Sequence, residues 1–315
     1  MRRYTAALLG YYGFGNLGDE LLLSSCLGIL DRCGLERSKI LVLSNSPEDT
    51  RQKFRVDAVN RWSIRELFRA FRESERLIVG GGGIFQDTTS IKSCLWYWGI
   101  IRLAIMLGVK VSALGQSVGP LNAGISRTLA GDALRSCVRL QVRDDNSMRT
   151  AQELGCRNVI MGCDLVMTLK PELPPSKPEY MLVNLRPCPG LDDYVRTLRP
   201  HVGDDTIGAA LSPEDEEAIK SLGLREVVRV NSLDDACRLW AGAKSAVGMR
   251  LHFGVLSRIF RRPLAMMPYD VKVREFAGQS GVPCVMDGWE EPVMPREIPE
   301  SVYDVDVLCS EILAL

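Results

Sequence analysis

The feature that most constrains this fold is a regular alternation of short apolar runs with longer helical stretches. Strands that alternate with helices favour βαβ units and a parallel sheet. In the first half, the runs of strand length are 4–10, 39–43, 76–79, 110–114, 138–142 and 158–161. Ligands of such sheets bind beyond the carboxyl ends of the strands. The sequence therefore predicts an α/β fold with its site residues in the loops that follow strands.

A proline-rich connector, KPELPPSKP at 170–178, divides this alternation into two parts. Proline stiffens a connector and interrupts helices and central strands. After it, strand-length runs recur at 180–184, 207–211, 226–230, 245–247 and 263–266. We expect an N-terminal Rossmann-like domain over 1–170 and a smaller Rossmann-like domain over 178–315. The last residues, 299–315, are interpreted as a terminal helix that is free to pack back on the first domain.

Composition excludes several classes of function. Lys plus Arg and Asp plus Glu are both 39, so the chain lacks the basic excess expected of a nucleic-acid-binding protein. The ten cysteines form no C-x-x-C pair and the histidines are only His201 and His252, so no metal site or cofactor is expected. We expect reduced, mostly buried thiols and a cytoplasmic protein.

The most apolar segment, 95–109, is shorter than the ~20 residues that a membrane span requires. Two interpretations stay open for it: a helix buried against the sheet, or a helix resting at the inner face of a membrane.

Residues 13–18, GFGNLG, match G-x-G-x-x-G between a strand and a helix. The next strand ends in Leu43-Ser44-Asn45, without the acidic residue that holds a nucleotide ribose, so a dinucleotide site is not expected. The turn instead offers N–H groups at a helix N-terminus, which suit an anion or a sugar hydroxyl. The candidate ligands here are Gly15, Asn16, Asp19 and Glu20, although the two acids could simply stabilise the first helical turn.

Other polar loops follow later strands. The four glycines at 80–83 indicate a close approach of the backbone, positive φ angles, or a tight crossover. Candidate residues from the first half are Gly82, Gly83, Gln86, Asp87, Gln116 and Arg143. Those from the second half are Arg250, Leu251, His252 and Lys272, of which the lysine is notable because Lys is scarce in this chain.

Together these loops resemble the polysaccharide pyruvyl transferase family, most closely its CsaB-type cell-wall members. The matching segments are YYGFGNLGDE at 11–20, GGGGIFQDTTS at 80–90, GQSVGPL at 115–121, VRDDNS at 142–147, GMRLH at 248–252 and YDVKV at 269–273. The chain departs from the family pattern in the QSVGP loop and at Val271, where a proline usually precedes the lysine.

The resemblance implies two Rossmann-like domains facing each other across a cleft, similar to the GT-B glycosyltransferases. It implies transfer of pyruvate from phosphoenolpyruvate (PEP) to a sugar as a ketal, with release of phosphate. For the CsaB type, the acceptor is a lipid-linked cell-wall precursor, with pyruvate bridging the 4- and 6-hydroxyls of N-acetylmannosamine. PEP would bind on the C-terminal side and the acceptor on the N-terminal side.

By the matching loops, PEP contacts fall on Arg143, His252 and Lys272, and cations suit its carboxylate and phosphate. We hypothesise that His252 is the acid that protonates PEP or the clamp on its phosphate, supported by Arg250. The sugar hydroxyls are assigned to Asp19, Glu20, Gln86 and Asp87. Two alternatives remain, since fold does not separate them: a GT-B glycosyltransferase that uses a nucleotide sugar, and a non-catalytic glycan-binding protein.

Overall fold

The computed structural model describes residues 2–88, 90–286 and 288–297. Within them, the chain divides into two compact units. The first contains residues 2–14 and 22–168, and the second contains residues 15–21 and 169–297. The helix expected at 299–315 lies outside the described residues.

The first unit is built on a parallel sheet. Its strands are β1 (Tyr4–Leu9), β2 (Ile40–Ser44), β3 (Asp57–Asn60), β4 (Ser74–Phe85), β5 (Lys110–Val118), β6 (Arg139–Val142) and β7 (Val159–Met161). Their order is β3-β2-β1-β4-β5-β6-β7. The order reverses between β1 and β4, as in a Rossmann sheet, and such sheets bind ligands at the carboxyl ends of their strands.

Helices connect these strands, as parallel neighbours require. They are α1 (Leu17–Arg32), α2 (Pro47–Phe54), α3 (Ile64–Glu73), α4 (Ile91–Met106), α5 (Gly124–Arg135) and α6 (Asp145–Glu153). Helix α4 covers most of the apolar segment 95–109 and buries Tyr97 and Ile101 in the core, whereas Leu95 and Met106 are exposed. Trp98 is partly buried, and its indole N–H donates to Asp132 Oδ2 at 2.7 Å. Among the described residues, no helix is both long enough and apolar enough to traverse a bilayer.

Strand β4 continues through the four glycines, and packing within the first unit explains two of them. A Cβ atom on Gly80 would lie 2.3 Å from the hydroxyl oxygen of Tyr12. One on Gly81 would lie 2.7 Å from Leu22 Cδ2, and Gly81 also has a φ of 77°. The close approach expected from the sequence is therefore made to the side chains of the protein itself.

The second unit has a smaller parallel sheet, in the order β10-β9-β8-β11-β12. Its strands are β8 (Tyr180–Asn184), β9 (Thr206–Ala210), β10 (Glu226–Arg229), β11 (Ala243–Gly248) and β12 (Leu264–Met266). Its helices are α7 (Leu191–Leu198), α8 (Pro213–Lys220), α9 (Leu233–Ala241), α10 (Leu251–Ile259) and α11 (Val271–Ser280). Two parallel α/β sheets confirm the predicted fold class.

Segment 15–21, which contains the start of α1, packs with the second unit rather than with the strand that precedes it. The backbone N–H of Leu17 donates to the carbonyl oxygen of Leu211 at 3.1 Å. Arg229 Nη2 donates to the carbonyl oxygen of Gly15 at 3.0 Å. The second half of the glycine loop is thus held by residues more than a hundred positions away in the sequence, which local patterns do not reveal.

Within the described residues, eight cysteines are free thiols, five of them buried. Burial raises the pKa of Cys26, Cys137 and Cys163 to about 12. Cys33 is disulfide-bonded, so the expectation of reduced cysteines is wrong for that residue.

Candidate functional site

Three adjacent strands of the second unit end in loops that carry cationic side chains. Arg186 follows β8, Arg250 and His252 follow β11, and Lys272 follows β12. The carboxyl ends of parallel strands meet at one edge of the sheet, so these four side chains belong to the same edge. We call them the cationic cluster.

Two carboxylates hold Arg250. Its Nη2 donates to Asp215 Oδ1 at 2.6 Å and to Glu214 Oε1 at 2.5 Å, and its Nε donates to Asp215 Oδ1 at 3.0 Å. Burial alone would lower the pKa of Arg250, but its hydrogen bonds to Asp215 and Glu214 and the charge of Asp215 outweigh the burial, so the pKa is raised. Arg250 is therefore a fixed cation that anchors the loop before His252.

Arg186 is a cation of the cluster that lies outside the sequence motifs. Its Nη1 donates to the Tyr269 hydroxyl at 2.8 Å, and its guanidinium carbon lies 4.5 Å from the centroid of that ring. Its ion pair with Glu214 is long, at 3.9 Å, so less of its charge is neutralised than that of Arg250. The available signal was its position just after the strand predicted at 180–184.

Lys272 lies in the first turn of α11 and is 41% exposed. Its Nζ is 3.3 Å from Asp270 Oδ2. The other carboxylate oxygen of Asp270 accepts a hydrogen bond from the backbone N–H of Val273 at 3.0 Å and so caps the helix. A long pair with a half-exposed lysine leaves the ammonium group able to meet a second anion.

His252 lies in the first turn of α10 and packs against Gly18. A Cβ atom on Gly18 would lie only 2.1 Å from Nδ1 of the imidazole. The N-cap residue of α10, Arg250, makes no side-chain hydrogen bond to this helix within the described chain, and its guanidinium turns to Asp215 instead. The start of a helix favours an anion, so the imidazole stands where a negatively charged ligand is stabilised.

The segment around Gly18 supplies the remaining candidates of the second unit. Asn16 Oδ1 accepts a hydrogen bond from the backbone N–H of Gly18 at 2.9 Å, which orders the start of α1. Asp19 and Glu20 occupy the first turn of that helix, and Glu20 is 9% exposed. Leu251 is buried and contributes backbone rather than side chain to the start of α10.

In the first unit, Arg143 follows β6 and its side chain is 6% exposed. Its Nη1 donates to Asp164 Oδ2 at 2.7 Å, and its Nε lies 3.8 Å from Asp144 Oδ2. Asp144 also accepts from the backbone N–H of Ser147 at 2.7 Å as the cap of α6. Arg143 therefore forms a buried ion pair that fixes the ends of two strands.

Gln116 is fully buried near the end of β5, and its Nε2 donates to the carbonyl oxygens of Val79 and Leu114, both at 3.0 Å. Gly82, in β4, is also buried and has a φ of 90°, whereas Gly83 is half-buried. These three residues shape the edge of the sheet between β4 and β5.

Asp87 and Gln86 organise the loop after β4. Asp87 accepts hydrogen bonds from the backbone N–H groups of Asn122 and Ala123 at 2.9 and 2.7 Å. Burial tends to raise its pKa, but these N–H groups outweigh it and the pKa of Asp87 is lowered. Gln86 Oε1 accepts from the backbone N–H of Thr88 at 2.8 Å.

The predicted residues thus fall into two groups. The second unit contains Gly15, Asn16, Asp19, Glu20, Arg250, Leu251, His252 and Lys272. The first unit contains Gly82, Gly83, Gln86, Asp87, Gln116 and Arg143. His201, the other histidine, stacks on Trp289 with ring centroids 3.9 Å apart. Across the part of the chain that the structure describes, no three His, Cys, Asp or Glu side chains are grouped to hold a metal ion.

Comparison with known families identifies the class to which this fold and this site belong. The sequence model of the family described as polysaccharide pyruvyl transferase matches residues 16–271. The match covers most of the chain, so the protein belongs to the polysaccharide pyruvyl transferase family. Membership makes it an enzyme of pyruvyl transfer, with PEP as the donor and a polysaccharide as the acceptor that the family implies. No curated protein matches the chain in sequence.

Solved structures similar to this chain include a UDP-GlcNAc 2-epimerase and two proteins with bound UDP. The UDP-GlcNAc 2-epimerase from Methanocaldococcus jannaschii is similar with a TM-score of 0.61 and 11% identity, over 98% of this chain and 99% of that one. Anabaena HepE in complex with UDP and glucose is similar with a TM-score of 0.56 and 11% identity, over 84% and 81% of the two chains. The S. aureus MnaA–UDP structure is similar with a TM-score of 0.59 and 10% identity, over 90% and 83%. These likenesses support the GT-B-like α/β class that the sequence predicted.

Proposed function

We propose that this enzyme transfers pyruvate from PEP to an amino sugar of a lipid-linked cell-wall precursor, forming a ketal across the 4- and 6-hydroxyls of N-acetylmannosamine. The observation that carries the proposal is the cationic cluster at one edge of the second sheet, next to the start of α10. A carboxylate and a phosphate on one small molecule call for several cations and N–H donors. The resemblance to CsaB-type members supports the choice of acceptor.

In this proposal, His252 donates a proton to the methylene carbon of PEP while positive charge develops on the central carbon. One sugar hydroxyl adds to that carbon, phosphate leaves, and the second hydroxyl closes the ketal. Of the two protons that the sugar hydroxyls lose, one balances the proton added to the methylene carbon. The other leaves with the released phosphate. Histidine is a common general acid in catalysis, and this one lies at a helix start that favours an anion.

The proposed cations have different tasks. Lys272 and Arg186 bind the anionic groups of PEP, since both retain charge that nearby carboxylates neutralise only in part. Arg250 positions the loop that carries His252, because its guanidinium is committed to Asp215 and Glu214. Arg143 keeps the role of a PEP ligand that the family resemblance gives it. Gln86 and Asp87, in the first unit, are proposed as ligands of sugar hydroxyls.

The test is a transfer assay with PEP and a panel of amino-sugar acceptors, read out as phosphate release and as the ketal product by mass spectrometry. We expect release that depends on both substrates and is lost in His252→Ala. For Arg186→Lys, we expect a raised KM for PEP with little change in kcat, since a lysine retains charge without the planar fork. His201→Ala is the matched control, because it removes the other histidine and should retain full activity.

A glycosyltransferase that uses a nucleotide sugar is the second candidate, favoured by the UDP-bound structures that share the fold. The ligand that stabilises the protein separates the two, because binding to the folded state raises the melting temperature by mass action. Stabilisation by PEP and not by UDP-sugars supports pyruvyl transfer, and the opposite result overturns it.

A further inference from the structure

Arg61, directly after β3, is buried in an unusual environment. It is 2% exposed, and its guanidinium carbon lies between 4.1 and 5.9 Å from the centroids of five aromatic rings. Its Nη1 donates to the Gly10 carbonyl oxygen at 2.6 Å and its Nη2 to the Tyr97 hydroxyl at 3.2 Å. Within residues 2–88, 90–286 and 288–297, no carboxylate forms an ion pair with Arg61. Burying a cation without a carboxylate partner is costly, which suggests that the ring arrangement it holds has a use.

Four of these rings form a surface that we call the aromatic platform: Tyr11, Phe14, Trp62 and Trp96. Tyr11 and Phe14 stack with centroids 3.9 Å apart and planes 9° apart. Trp62 and Trp96 are tilted by 55°, with centroids 5.3 Å apart. Trp62 is 56% exposed and Tyr11 is 43% exposed, so two large apolar rings face solvent.

The orientation of Trp62 is fixed in spite of its exposure. Its indole N–H donates to Asn45 Oδ1 at 2.9 Å, and the Asn45 amide donates to the carbonyl oxygen of Gly13 at 3.3 Å. On the buried side, the guanidinium of Arg61 lies 5.3 Å from the centroid of the Trp62 ring. A large ring held in one orientation towards water is pre-organised for a ligand, because little side-chain entropy is lost on binding.

The platform lies at the edge where this sheet is expected to bind ligands. Its residues come from the loops after β1 and β3 and from α4, which follows β4, and Asn45 follows β2. These four strands are neighbours in the sheet. Gln86 and Asp87, which carry polar groups suited to sugar hydroxyls, are in the loop after β4.

The geometry favours a saturated ring over a planar base. Trp62 and Trp96 are tilted by 55° and so cannot sandwich a planar base between them, and Tyr11 and Phe14 each use one face on the other. One face of a pyranose carries several C–H groups, which stack on an indole, while its hydroxyls need polar neighbours such as Asp87. Sites of this kind combine aromatic walls with a few polar groups.

We propose that the aromatic platform binds the acceptor, with a pyranose ring stacked on Trp62. This deepens the proposed function, because it rests on the acceptor being a sugar. Tyr11 and Trp96 flank the ring, and Arg61 fixes the platform from its buried side.

The experiment measures acceptor binding directly and in turnover. Binding of free N-acetylmannosamine is followed by calorimetry, and the KM of the acceptor by phosphate release. Removing one aromatic contact in Trp62→Ala should weaken both by roughly 3- to 10-fold, with unchanged kcat and unchanged stabilisation by PEP. Trp62→Phe should recover part of the loss, and Tyr11→Leu should weaken binding in the same direction. Met106→Ala is the matched control, since Met106 is 79% exposed on α4 and outside the platform.

The outcomes separate this inference from the proposed function. A wild-type protein that binds the sugar through Trp62 but transfers no pyruvate supports the platform and overturns the proposed reaction. Transfer with an acceptor KM that Trp62→Ala leaves unchanged overturns the platform alone, as does a wild-type protein that does not bind the sugar. If Trp62→Ala and Ile64→Ala both weaken binding to anionic phospholipid vesicles while sugar binding is retained, the rings contact a membrane instead, and the inference is wrong.

Discussion

Substituting Gly18 by alanine should impair catalysis without unfolding the protein. The new Cβ atom would lie 2.1 Å from His252 Nδ1, whereas ordinary contacts begin near 3.4 Å, so the imidazole must move by ~1.3 Å. Misplacing a catalytic group by about 1 Å costs on the order of 100-fold in rate. A histidine ring can rotate, and alanine is the better helix former by roughly 0.5–1 kcal/mol, so we expect little change in overall stability.

The assay is PEP-dependent phosphate release, with thermal unfolding measured in parallel. Gly28→Ala is the matched control in the same helix, because no atom lies within 4 Å of its added Cβ. That variant should retain full kcat. An unchanged kcat in Gly18→Ala would contradict this expectation.

Three further predictions concern groups that the structure buries or caps. Arg250→Met leaves the fully buried Asp215 without its guanidinium and should lower the free energy of unfolding by about 3–5 kcal/mol in denaturant titrations, with part of the loss recovered by adding Asp215→Asn. Asp87→Asn should lower the free energy of unfolding by about 1 kcal/mol at neutral pH. Because the pKa of Asp87 is lowered in the folded state, the stability from its carboxylate is complete above the unfolded pKa of ~3.9 and is lost as the pH falls through the lower folded pKa. The stability curves of the wild type and the variant should therefore converge in acid. Burial raises the pKa of Cys163 to about 12. The stability that its neutral thiol contributes is therefore complete below the unfolded pKa of ~8.5 and falls by up to ~1.4 kcal/mol per pH unit above it. In Cys163→Ala, the free energy of unfolding should fall less steeply with pH in alkaline solution.

The sequence predicted most strands because buried parallel strands are nearly continuous apolar runs. It missed β3, Asp57–Asn60, which lies at the edge of its sheet and is short and partly polar. Helix α3 begins only at Ile64, after the cap Ser63, so Arg61 is a buried loop residue and not a helix surface residue.

The sequence predicted the site as a set of loops. The structure shows which cations in these loops pair with a carboxylate of the protein itself. Sequence patterns do not show which arginine is also held by a carboxylate far along the chain. Arg143 pairs with Asp164, and Arg250 pairs with Asp215, at separations of 21 and 35 residues. Arg186 lies in no segment that resembles a motif, and only its place after β8 marks it.

The cations of the cluster differ in how far nearby carboxylates neutralise their charge. Asp215 is fully buried and accepts hydrogen bonds from two backbone N–H groups as well as from Arg250, so it links the ends of β9 and β11. The buried Asp215 depends on Arg250 as its charge partner. An incoming anion that displaced Asp215 from Arg250 would leave a buried carboxylate without a partner. Neither Lys272 nor Arg186 holds a buried carboxylate, because their acidic partners lie at 3.3 and 3.9 Å and are partly exposed. We therefore propose that an anionic substrate binds Lys272 and Arg186, while Arg250 holds the loop of His252 in place.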